Sequence, residues 1–131
     1  MKYRNTIIRT LLCLAVLHVP LATAGERCQQ LNINIANETG AAVKISAVDY
    51  FEPQQRQWRN EAQIEQILTN NANWTWKRSL ELVRDATTRL RITYQTKLSG
   101  LHLDNYSAKR TAESAPFTCT DNGNSPLIKL P

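Results

Sequence analysis

Apolar and polar side chains alternate over most of this chain, and a period of two is the signature of a half-buried β-strand. Leu31, Ile33 and Ile35 alternate with Asn32, Asn34 and Ala36. After Asn37-Glu38-Thr39-Gly40, Val43, Ile45 and Ala47 share one face, while Lys44 and Ser46 share the other with Val48 and Tyr50. Two such runs around a short glycine-containing turn predict a hairpin. In Thr88 to Thr96, Leu90, Ile92 and Tyr94 point one way and Arg89, Arg91, Thr93 and Gln95 the other. Trp74 to Val83 is predicted to pair with that strand across Arg84-Asp85-Ala86-Thr87. Leu101 and Leu103 suggest a further strand. Phe117 to Thr120 and Leu127 to Leu130 flank Asp121-Asn122-Gly123-Asn124, an Asn-Gly turn signal, and Pro126 suits a strand start or a sheet edge.

Two segments are less regular. Residues 53–68 satisfy a helical spacing through Trp58 with Ala62 and Ile64 with Ile67 and Leu68. They also satisfy strand parity through Trp58, Ala62 and Ile64, and strand plus loop is expected because the neighbours are strands. Residues 104–116 lack apolar periodicity and read as an exposed loop. About seven short strands predict an all-β fold, a small antiparallel β-sandwich or small barrel.

The first 24 residues follow a different logic. Lys2, Arg4 and Arg9 precede the apolar run Leu11 to Val19, Pro20 breaks it, and Ala22-Thr23-Ala24 has the small-x-small pattern of a signal-peptidase site. Spanning a bilayer takes roughly 20 apolar residues, so residues 1–24 read as a cleaved signal. Residues 25–131 then form one secreted or periplasmic domain with no transmembrane segment. Neither Leu12 before Cys13 nor Arg27 before Cys28 suits lipidation.

Removing that segment changes charge and cysteine count. The whole chain has 16 Lys and Arg against 11 Asp and Glu. Three cations and no anion lie in residues 1–24, leaving a net charge of +2. That small excess gives no global argument for nucleic acid. Cys28 and Cys119 remain, and an even pair in an oxidising compartment predicts one disulfide tying the two ends of the domain together.

Several chemistries lack their residues. His102 is the single histidine after residue 24, between Leu101 and Leu103 with no nucleophile motif near it. No catalytic constellation is therefore expected. No His/Cys cluster suits zinc, and Asp121 to Asn124 lacks the alternating ligands and distal glutamate of a calcium loop. The glycines are too few and too far apart for a phosphate loop. No metal or cofactor is expected. The sequons at Asn37, Asn73 and Asn105 are near the number that chance provides.

The remaining signal is aromatic and basic. Trp74 and Trp76 share a strand face that Arg78 continues, either as a platform or as core filling. Trp58, between Arg56 and Arg59, poses the same alternative. Lys77, Arg78, Arg84, Arg89, Arg91 and Lys97 fall within 21 positions. The expectation is a non-catalytic binding module that presents Trp74, Trp76 and these cations on one hairpin to a protein partner, such as an inhibitor, an immunity-type protein or an envelope accessory. A membrane-surface or glycan binder using the same residues is the alternative, and a compact carboxylate-dependent hydrolase the third.

Overall fold

The computed structural model describes residues 26–100 and 105–131. Its regular elements are all strands: β1 (Cys28–Asn37), β2 (Val43–Glu52), β3 (Gln57–Leu68), β4 (Asn73–Leu80), β5 (Thr87–Thr88), β6 (Leu90–Thr96), β7 (Arg110–Glu113), β8 (Phe117–Thr118) and β9 (Ile128–Leu130). One sheet has the order β4-β1-β9, a second β3-β2-β6-β7, and β5 pairs with β8 in a small third. The two larger sheets bury their inner faces against each other. Leu31, Ile33 and Ile35 of β1 meet Val43, Ile45, Val48 and Tyr50 of β2 and Leu90, Ile92 and Tyr94 of β6 in one core. Each fully buried Leu or Ile contributes about 1.5–3 kcal/mol. The chain is an all-β sandwich, antiparallel except where β9 runs parallel to β1.

Cys28 and Cys119 form the predicted disulfide. Both are fully buried, and Cys28 is the first residue of β1. The bridge is therefore part of the core as well as a clasp. Residues 57–68 are a strand, as the parity reading expects. His102, Leu101, Leu103 and residues 1–24 lie outside the described residues.

Three pairings differ from the sequence expectation. β1 and β2 are not a hairpin but lie in opposite sheets. The crossing is fixed by the buried Asn37, whose Nδ2 donates to the carbonyls of Ala41 (2.7 Å), Leu68 (3.2 Å) and Thr69 (2.9 Å). Its Oδ1 accepts from Thr39 N and Oγ1. An amide satisfied this way holds the arch 37–42 against the β3–β4 turn. The same burial rules out Asn37 as a glycan acceptor.

β4 likewise does not pair with β6; it pairs with β1. The connection between β4 and β6 is drawn away by the cysteine segment. Asp85 N donates to Cys119 O (2.8 Å) and Cys119 N to Ala86 O (3.0 Å). Positive φ at Leu82 (63°) and Asp85 (56°) lets the chain change sheets there. Around 121–124, the turn does form, with Gly123 N donating to Thr120 O (3.0 Å) and Asn122 at φ 56°. Its flanks do not pair with each other: β8 joins β5, and β9 joins β1. Residues 104–116 contain β7, which adds to the edge of β6.

The face assignment in β2 also changes midway. Val43, Ile45, Val48 and Tyr50 are all buried, so the apolar parity switches between Ile45 and Val48. A bulge between Ile45 and Ala47 interrupts the register with both β3 and β6. One extra residue turns the rest of a strand over.

Candidate functional site

The sandwich separates the residues expected on one basic hairpin into several environments. Trp74, Trp76, Lys77 and Arg78 are on β4, in the three-stranded sheet. Arg89 and Arg91 flank and occupy β6, in the four-stranded sheet. Lys97 follows β6, is exposed, and donates its main-chain N to Ala42 O (2.8 Å). Arg84 sits at the disulfide clasp, where Nη1 meets Glu26 and Nη2 meets Asp121, both at 2.6 Å. The Glu26 hydrogen bond and the charge of Asp121 raise its pKa further. No single hairpin carries the expected face.

Trp74 and Trp76 point inward, half-buried against the core at the open side of the sandwich. Their rings stack at 5.6 Å with planes 21° apart, and the Arg78 guanidinium lies 4.7 Å from the Trp76 centroid. Along β4, Trp76 is thus held between Trp74 and Arg78. Arg78 then reaches Glu61 of β3, Nε at 2.9 Å and Nη2 at 2.8 Å, bridging the two sheets. The Arg78–Glu61 pair ties the two sheets together at one point of this rim, and the ladder uses indole faces that a sugar ring would need.

A groove of about 390 Å³ lies beside the ladder, lined by Arg27, Gln30, Glu61, Lys77, Arg78, Ser79 and Glu81. It holds two carboxylates, the arrangement a hydrolase would require. Each is already engaged, Glu61 by Arg78 and Glu81 by Arg27. Burial raises the pKa of Glu61, against the lowering effect of its hydrogen bond to Arg78. Burial also raises that of Tyr50, opposed by the Arg59 charge. These are the features of an ion-paired sheet edge. Among the described residues no three His, Cys, Asp or Glu side chains gather in a metal-binding group.

The outer face of the four-stranded sheet is different. Strand alternation puts polar side chains there, yet Phe51 of β2 and Trp58 of β3 sit side by side on it. Their rings meet edge to face at 5.6 Å. Two arginines stack on them. Arg91 Cζ is 4.3 Å from the Trp58 centroid, and Arg89 Cζ is 5.2 Å from Phe51 and 5.5 Å from Trp58. Asp49 fixes Arg91 through Nε (3.2 Å) and Nη2 (3.0 Å), and Asn60 Nδ2 donates to the other oxygen of Asp49 at 2.9 Å. Glu113 of β7 meets Arg89 at 3.4 Å. Such cation–π contacts contribute about 0.5–1 kcal/mol each where exposed. They also hold the guanidinium groups flat and ready.

This cluster unites Arg89 and Arg91, which the sequence singled out, with Phe51 and Trp58. The missing signal was the register of β2 against β3, which places residues 51 and 58 opposite one another. Buried Glu52, next to Phe51, faces inward. Its Oε1 accepts from Gln55 N (3.1 Å) and its Oε2 lies 3.8 Å from Arg59, so it fastens the β2–β3 turn. The chain matches no known protein family, no curated protein and no solved structure. No helix among the described residues is long and apolar enough to cross a membrane.

Proposed function

We propose that the chain is an exported, non-catalytic binding module whose partner is a protein docked on the outer face of the four-stranded sheet. The observation that carries this reading is the Phe51–Trp58 pair with Arg89 and Arg91 stacked on it, on a face the core does not use. Trp and Arg dominate the energetics of protein interfaces, where aromatic anchors pack against desolvated pockets. Here the arginines are pre-oriented by Asp49 and Glu113, which lowers the ordering cost of binding. Export is supported by the buried disulfide, which persists in oxidising compartments, and by the composition of residues 1–24. The stacked, half-buried Trp74 and Trp76 make the glycan-platform reading the weaker one.

The test is capture by immobilised protein from the extracellular or envelope fraction of the source. A protein held by the wild type should be lost with Trp58→Ala. It should associate more slowly with the pair Arg89→Gln, Arg91→Gln, and more slowly still as salt shortens the screening length from about 8 Å. Lys77→Glu, on β4 of the other sheet, is the control. Anionic vesicles form a separate arm. If all variants behave alike toward every ligand, the cluster is a solvated strand face and the proposal fails.

A further inference from the structure

The sandwich has four sheet edges, and three are blunted. β7 and β9 are short, and they lie against each other on one side. β3 is long but its register is broken twice, at Ile45/Ala47 and at Val48/Asp49. Bulges and short strands are the devices that keep an edge from pairing with another chain. β4 has eight residues, no proline, and an unbroken register from Leu31↔Arg78 to Ala36↔Asn73, its one irregularity lying past Arg78, in β1 between Cys28 and Leu31.

The free main-chain groups of β4 can be assigned. Asn32 N donates to Gly123 O and Asn32 O accepts from Ser125 N, while Asn34 N donates to Ser125 Oγ. The even residues of β1 therefore face the 123–125 segment. Its odd residues face β4 and bond Trp74, Trp76 and Arg78. By the alternation of an antiparallel ladder, Thr75, Lys77 and Ser79 hold their N–H and C=O groups toward the open edge.

We propose that this edge accepts an added strand: an extended partner segment in which acidic residues alternate with apolar ones. The residue directly opposite Lys77 shares its face of the sheet, and Lys77 is exposed with no ion pair among the described residues. A carboxylate there completes the charge. The intervening residues of the added strand fall on the inner face, beside half-buried Trp74 and Trp76, where apolar side chains extend the core. In strand addition, main-chain bonds supply affinity and alternate side chains supply selectivity. This surface is separate from the Phe51–Trp58 cluster, which lies on the other sheet.

The probe is a soluble alternating Val-Glu octapeptide, and the readout is amide hydrogen exchange by NMR alongside titration. In the free protein the amides of Thr75, Lys77 and Ser79 should exchange quickly, and those of Trp74, Trp76 and Arg78 slowly. The peptide should slow the first three. The same peptide N-methylated throughout loses its N–H donors to β4 in either strand direction and should bind at least about tenfold more weakly, as should an alternating Val-Lys peptide. Thr75→Pro removes the outward N–H together with the Thr75 Oγ1 bond to Asn34 Oδ1 (3.0 Å), so Thr75→Val, which loses only the hydroxyl, is its reference. The proline variant should bind more weakly than the valine variant, while Lys44→Glu on the other sheet should leave binding unchanged. Equal binding of the N-methylated or the Val-Lys peptide overturns the proposal. So does protection of Thr75, Lys77 and Ser79 in the free protein. Protection that rises with protein concentration alone overturns it too, by making a second copy the occupant. None of these outcomes touches the reading of the outer face, which uses different strands.

Discussion

Asn37 shows how one side chain can decide a connection. Its amide supplies hydrogen bonds to three carbonyls from two segments, and it is almost completely buried. Removing it leaves buried carbonyls without donors, and each such loss costs about 1–3 kcal/mol. Asn37→Ala is expected to destabilise the fold by about 3 kcal/mol, read as a lower urea midpoint with an unchanged slope. A loss below about 1 kcal/mol would mean that water replaces the amide and that the arch holds itself. Local pattern offers Asn37 two ordinary readings, a turn residue and a sequon. Its real role depends on Leu68 and Thr69, some thirty residues away, and no local pattern reports that. Arg89 and Arg91 were legible as outward cations because they alternate with Leu90 and Ile92. Their stacking on Phe51 and Trp58 was not, since it requires three strands in register.

At the scale of the element, β2 carries its own record of irregularity. Val43 and Ile45 are apolar at odd positions, Val48 and Tyr50 at even ones, and the bulge at residues 46–47 reconciles them. Deleting Ser46 removes the extra residue, makes the register with β6 continuous from Ile45↔Tyr94 to Ala47↔Thr93, and leaves Val43, Ile45, Val48 and Tyr50 alternating on the core face. That variant is expected to keep cooperative unfolding, whereas inserting one alanine after Val48 turns Tyr50 and the residues beyond it to the wrong face and should cost cooperativity and bind a hydrophobic dye. A cooperative transition in the insertion variant would show that the bulge can move along β2. The parity switch was visible in the sequence. Local parity alone puts Val48 and Tyr50 on the face of Lys44 and Ser46, because a strand without its partners gives no reason to insert a bulge.

For the whole molecule, the disulfide joins positions 91 apart in sequence. Closing so long a loop in the unfolded chain is worth roughly 4–5 kcal/mol in the chain-entropy model, and often less in practice. Cys119→Ser should lower stability by about 2–5 kcal/mol, measured by urea unfolding without reductant. Because both cysteines are in the core, and Cys119 pairs with Ala86 and Asp85, the β5–β8 region should lose exchange protection first. Uniform loss across all strands would assign the bridge a purely unfolded-state effect.

The alternation of Leu31–Ile35 and Leu90–Tyr94, the strand character of residues 57–68 and the pairing of Cys28 with Cys119 follow from the sequence alone. Each depends on local periodicity or on a count of two. Which strands are neighbours does not. β1 and β2, or β4 and β6, could each lie side by side or face one another across the core and bury the same side chains. Long-range hydrogen bonds from Asn37 and Cys119 choose between those arrangements. That choice moved Trp74 and Trp76 to the sandwich rim and joined Trp58 to the arginines of β6. It also left the edge of β4 open.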